Sequence, residues 1–181
     1  MFLDNIQLRE LGASAPNAGL NYLPDVACEG SSVMFEDNSS GDNLSSYIWD
    51  FGTDATPSSA TGVGPHMVTY QTSGSKTVKL TVSDGSVSDS VIYALTVAPL
   101  PLSDFSFSTV GVTGFFTDNS INANSYFWNF GDGGTSSEQN PEHIYASNAT
   151  YTVSLITTND CGSDTLVREV SMSTVSVDND L

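Results

Sequence analysis

One short stretch occurs twice in this chain, and it leaves few folds open. Tyr47-Ile48-Trp49-Asp50-Phe51-Gly52 returns as Tyr126-Phe127-Trp128-Asn129-Phe130-Gly131-Asp132-Gly133. In each copy the rings alternate: Tyr47, Trp49 and Phe51, then Tyr126, Trp128 and Phe130. Alternation puts three rings on one face of an extended strand. Rings of that size need a core to enter, so this face is predicted to point inward. Gly follows at once and permits the left-handed turn that ends the strand. Each copy therefore predicts the central strand of its own small β-domain.

The flanks repeat in the same order. Phe35-Glu36-Asp37-Asn38-Ser39 matches Phe116-Thr117-Asp118-Asn119-Ser120. Tyr70 precedes Thr77-Val78-Lys79-Leu80 as Tyr145 precedes Thr152-Val153-Ser154-Leu155. Ordered landmarks at similar spacing make a duplicated unit of roughly 80 residues. No segment carries a helical period, and short strands alternate with turn signals, which predicts a sandwich.

Trp49 to Gly52 and Trp128 to Gly133, each followed by a Tyr and a Thr-Val-x-Leu strand, resemble the PKD (polycystic kidney disease) domain family. The second copy follows the pattern closely, including Asn140-Pro141-Glu142-His143-Ile144-Tyr145. The first departs from it, with Gly52-Thr53-Asp54-Ala55-Thr56-Pro57 in place of Gly-Asp-Gly. Its Gly62-Val63-Gly64-Pro65 resembles a variant of secreted bacterial peptidases. The resemblance implies an all-β chain of two immunoglobulin-like sandwiches in tandem, extracellular and non-catalytic, with Trp49, Trp128, Tyr70 and Tyr145 as structural residues.

The expected organisation is a remnant strand of a preceding domain plus linker (1–18), a first domain (19–98), a linker (99–102), a second domain (103–173) and a tail (174–181). Strands are expected in the first domain at 22–26, 32–36, 46–51, 68–71, 76–83 and 88–97, with a long loop at 53–64. In the second they are expected at 104–108, 113–117, 125–130, 143–145, 151–158 and 165–173. Phe105 and Phe107 should share one face. Residues 2–8 alternate like a strand without its own sheet.

Charge narrows the partners. The chain has 21 acidic residues against 4 basic ones, a formal charge of −17. Such a surface repels nucleic acid and anionic membranes and attracts cations. No run of ~18 apolar residues is present, so no membrane span is expected. Residues 1–5 lack the basic start and apolar run of a signal peptide, so a secreted or cell-surface location rests on the resemblance. A monomer is expected. Its partner is expected to be an insoluble polymer (collagen-like protein or polysaccharide) or a cell-surface protein.

Catalysis finds no foothold. His66 and His143 stand just before matching strands, which points to a shared structural role. No Ser-His-Asp spacing, nucleophile elbow or His-Glu-x-x-His occurs. Calcium is the one cofactor that the resemblance admits, through the loop after the second strand. There Asp37, Asn38, Asp42 and Asn43 could supply oxygen ligands. Asp118, Asn119, Asn122 and Asn124 bring a single carboxylate to the corresponding loop. The same residue types also close turns through their own backbone, and that reading stands beside the metal. Asp50 and Asn129, opposite in face to the indoles, are expected to bond neighbouring turns.

The two cysteines fall one to each domain, so no bridge within a domain can form. In the implied topology Cys28 lies between the first two strands of the first domain. Cys161 lies in the last hairpin turn of the second. In an end-to-end tandem those loops face one another, so an inter-domain Cys28–Cys161 disulfide and two free thiols both stand open, with an oxidising compartment favouring the bridge. Tyr22, Tyr93, Tyr126 and Phe127 are the aromatics that could meet a sugar or a collagen-like chain. For Phe127 packing is the expected role.

Overall fold

The computed structural model describes residues 13–172. The strand expected at 2–8 and the tail at 174–181 lie outside them. The chain divides between Val97 and Ala98 into two units. Each is a β-sandwich, and no helix occurs among the described residues.

In the first unit one sheet runs β1 (Leu20–Leu23), β3 (Ser32–Asp37), β7 (His66–Tyr70), β5 (Ala55–Thr56). The facing sheet runs β2 (Ala27–Cys28), β9 (Ser88–Ala98), β8 (Gly74–Ser83), β4 (Ser46–Asp50), β6 (Ser59–Thr61). β3, β4 and β7 thus alternate between sheets as in an immunoglobulin-like sandwich. The core is the inward set of both sheets: Val33 and Phe35, Trp49 and Phe51, Val68 and Tyr70, Val78, Leu80 and Val82, Leu95 and Val97. The period of two along β8 is what buries Val78, Leu80 and Val82 while their neighbours stay wetter.

The second unit repeats this with fewer strands. One sheet is β10 (Phe105–Val110), β11 (Thr113–Asp118), β14 (Glu142–Ile144). The other is β13 (Thr135–Ser136), β12 (Ser125–Asn129), β15 (Thr150–Asn159), β16 (Gly162–Ser171). Its core gathers Phe105, Phe116, Trp128, Phe130, Tyr145, Val153, Leu155, Val170 and Met172. A buried polar pair, the Ser103 and Thr157 hydroxyls 2.8 Å apart, satisfies itself.

Several expectations change. The stretch 53–64 is not one loop: β5 pairs with β7 and β6 with β4. Its Ser, Thr, Pro and Gly read as loop, but cross-strand hydrogen bonding overrides that composition. Strand 22–26 is instead β1 and β2, split by Pro24. The linker composition at 14–18 hides residues tied to the first unit. Asn17 bridges Ser40, and the Ala18 N–H donates to Asp89 (2.9 Å). Residues 99–102 are likewise bonded to the second unit, where Leu102 bridges Ile121.

Candidate functional site

The duplicated strand does the same work in both units. Trp49 Nε1 donates to the Gly62 carbonyl and Trp128 Nε1 to the Glu138 carbonyl, both at 2.9 Å. Each indole is fully buried and stacks on its neighbouring Phe, Trp49 on Phe51 and Trp128 on Phe130. Asp50 Oδ1 accepts the Gly52 N–H and Asn129 Oδ1 the Gly131 N–H, both at 2.9 Å. This is the expected turn bond, and it closes strand and glycine into one motif.

The Asp-Asn-Ser repeat is a clamp on the first strand. Asp37 Oδ1 accepts the Ser39 N–H (3.1 Å), and Asp118 Oδ1 accepts the Ser120 N–H (2.9 Å). Each serine hydroxyl then meets both the N–H and the C=O of one residue, Gly19 or Asp104. Asp118 also accepts Gln139 Nε2. Desolvation raises its pKa, but the hydrogen bonds from Ser120, Gln139 and Tyr126 outweigh it and hold the carboxyl low.

Calcium must be weighed against these bonds. Asp42 Oδ2 accepts the Ser14 N–H (2.8 Å), and Asn43 sits in the left-handed region (φ 58°). Both carboxylates of the loop thus have backbone donors already. Among the described residues no three His, Cys, Asp or Glu side chains gather as a metal site. These are the bonds by which Asp and Asn close turns through the backbone.

The histidines are not equivalent. His66 lies four residues before Tyr70, whereas His143 lies two before Tyr145. His66 sets its edge against Trp49, with its Nε2 3.2 Å from the Gly62 carbonyl. His143 lies flat on Phe130 (ring centroids 4.1 Å) with Nε2 2.8 Å from Asp132 Oδ2. Gly134 makes room for that ring, since any side chain there would collide with His143. Both histidines cap the same aromatic stack from different registers.

The surface aromatics separate. Tyr22 and Tyr93 come together, ring centroids 5.3 Å apart, hydroxyls at 3.5 Å. With Leu20, Asn21, Leu23, Asp25 and Glu36 they line a groove of about 410 Å³ in the first unit. Tyr126 instead leans on the second core. Phe127 is 46% exposed, and its side chain projects from the outer face of β12 opposite Ile156. Phe107 shares a face with Phe105 but lies at the open margin, 39% exposed. Cys28 is buried on β2, and Cys161 follows Asn159 in the last hairpin turn, its N–H on Asn159 Oδ1 (2.8 Å).

Two sandwiches, each pinned by an indole on its third long strand, define a tandem of immunoglobulin-like modules. The chain belongs to the PKD domain family, whose model matches residues 13–97 and 106–175. Collagenase ColA of Bacillus cereus is 46% identical over 54 residues, 30% of this chain and 5% of the collagenase. The PKD1 domain of Vibrio anguillarum Epp is 33% identical, covering 41% of this chain and 94% of that one, with a TM-score of 0.39. An I-band fragment of titin is 12% identical over 87% of this chain and 65% of that one (TM-score 0.54), a likeness of fold alone.

Proposed function

We propose that the two modules are a non-catalytic, extracellular accessory segment of a secreted hydrolase, a peptidase that acts on insoluble polymer. The observation that carries this is the 46% identity to a segment of a collagenase. The use of both histidines in aromatic packing supports a role without chemistry. In this reading the pair holds the enzyme at a collagen-like surface or spaces it from its anchor. The rival from another class is an adhesin or stalk that meets a cell-surface protein.

Sedimentation with insoluble collagen, chitin and cellulose tests the reading. Retention on collagen alone is the expected result. Retention on none of the three leaves a spacer, and retention on whole cells but on no polymer favours the adhesin.

A further inference from the structure

The groove in the first unit is bordered by Tyr93, and the corresponding position in the second unit carries an arginine. Tyr93 pairs with Val78 across β8 and β9, and Arg168 pairs with Val153 across β15 and β16. Val78 and Val153 belong to the repeated Thr-Val-x-Leu, so Arg168 occupies the place of Tyr93. Tyr22 pairs with Phe35 and Phe107 with Phe116, so Phe107 occupies the place of Tyr22. In the second unit the Arg168 guanidinium lies 5.0 Å from the Phe105 ring centre and 2.8 Å from Asp104 Oδ1. That is a cation held between an aromatic face and a carboxylate.

The first unit offers the same chemistry without the cation. Tyr93 stands in place of the arginine and Leu20 in place of its Phe105 platform, Tyr22 supplies the aromatic face beside them, Asp25 and Glu36 supply carboxylates, and none of the seven lining residues is basic. The lining draws side chains from both faces of β1, so the hollow follows that strand's outer edge. β1 has a strand partner only on its β3 side among the described residues. An edge of this kind takes an added extended chain through main-chain hydrogen bonds, while a neighbouring pocket selects one side chain.

We propose that this groove binds an extended polypeptide along β1 and seats one of its arginine or lysine side chains between Tyr22, Tyr93, Asp25 and Glu36. The charge of the chain favours such a partner at long range. The proposal deepens the accessory reading by naming the feature of a protein substrate that the first module would grip. It can fail while retention on collagen stands.

The test is a ¹⁵N-amide titration of the full chain with acetyl-Gly-Gly-Arg-Gly-Gly-amide and with its citrulline analogue, which keeps the shape and loses the charge. Shifts are expected at residues 20–25 and 91–95, with the citrulline peptide at least about tenfold weaker. Tyr93→Arg should abolish binding by supplying the cation from within, as Arg168 does. The double variant Asp25→Asn, Glu36→Gln should weaken binding about tenfold with an unchanged melting temperature, and it decides the matter if Tyr93→Arg fails to fold. Equal binding of the two peptides would overturn the proposal, as would unaltered binding by the double variant. So would groove shifts with chitopentaose but not with peptide, or shifts that follow protein concentration alone.

Discussion

Tyr70 and Tyr145 hold equivalent places, yet their hydroxyls fare differently. Tyr70 donates to the Phe51 carbonyl at 3.1 Å, whereas the buried Tyr145 hydroxyl has no hydrogen-bond partner among the described residues. Tyr70→Phe is therefore expected to cost about 1 kcal/mol, while Tyr145→Phe should leave stability unchanged or raise it. Urea melts of the two variants check this, and equal losses would refute it. Burial, then the Asp50 charge, pushes the Tyr70 hydroxyl up to about 12. A raised folded pKa means stability intact below the unfolded value near 10 and lost as pH climbs through about 12. The aromatic core was legible because alternation states which face is buried. The groove was legible only as two separate names, Tyr22 and Tyr93. Sequence places them 71 residues apart, and only the packing of β9 against β1 joins them.

At the scale of elements, the turn after the tryptophan strand is the most constrained piece. Gly131 has φ 83°, and a Cβ there would lie 2.5 Å from the Thr152 carbonyl oxygen. Gly133 is also left-handed, φ 97°, but a Cβ there meets open space. Gly133→Ala should cost about 1–2 kcal/mol of backbone strain, and Gly131→Ala clearly more, because the β15 backbone must also move. Thermal melts that ranked them the other way would contradict this. The loop 37–43 gives a second prediction: with its carboxylates bonded to backbone N–H groups, EDTA followed by CaCl₂ should leave the melting midpoint unchanged. A rise on adding calcium would restore the metal. Here the sequence was ambiguous by nature, since Asp and Asn serve turns and cations with the same oxygens. The histidine register failed for a related reason. Proximity to a strand looked like equivalence, and only counting back from Tyr70 and Tyr145 reveals the offset of two.

For the molecule as a whole, the two hydrophobic cores share no member, and each is closed by its own indole. Acid should expose this independence. Hydrogen bonds from Lys76 and Thr72 hold Asp54 at about 2, against an ordinary value of 3.8. A depressed carboxylate supports the fold above its unfolded pKa, and that support is lost as pH falls from about 4 towards 2. Asp54→Asn should remove this part of the acid sensitivity of the first unit and leave the second unit's transition where it was. The measurement is a melt series from pH 5 to pH 2, read separately on the 13–97 and 98–172 fragments and on the whole chain. Each fragment is expected to fold alone, because its core is complete without the other. The cysteines then decide whether the whole exceeds its parts. The placement of Cys28 before β3 and of Cys161 in the last hairpin motivates the bridge between units inferred from the sequence. If it forms, iodoacetamide should modify neither thiol in the oxidised, denatured chain and both after reduction, and reduction should lower the whole chain's midpoints towards those of the fragments. Two alkylated cysteines before reduction would leave the modules joined by the chain alone.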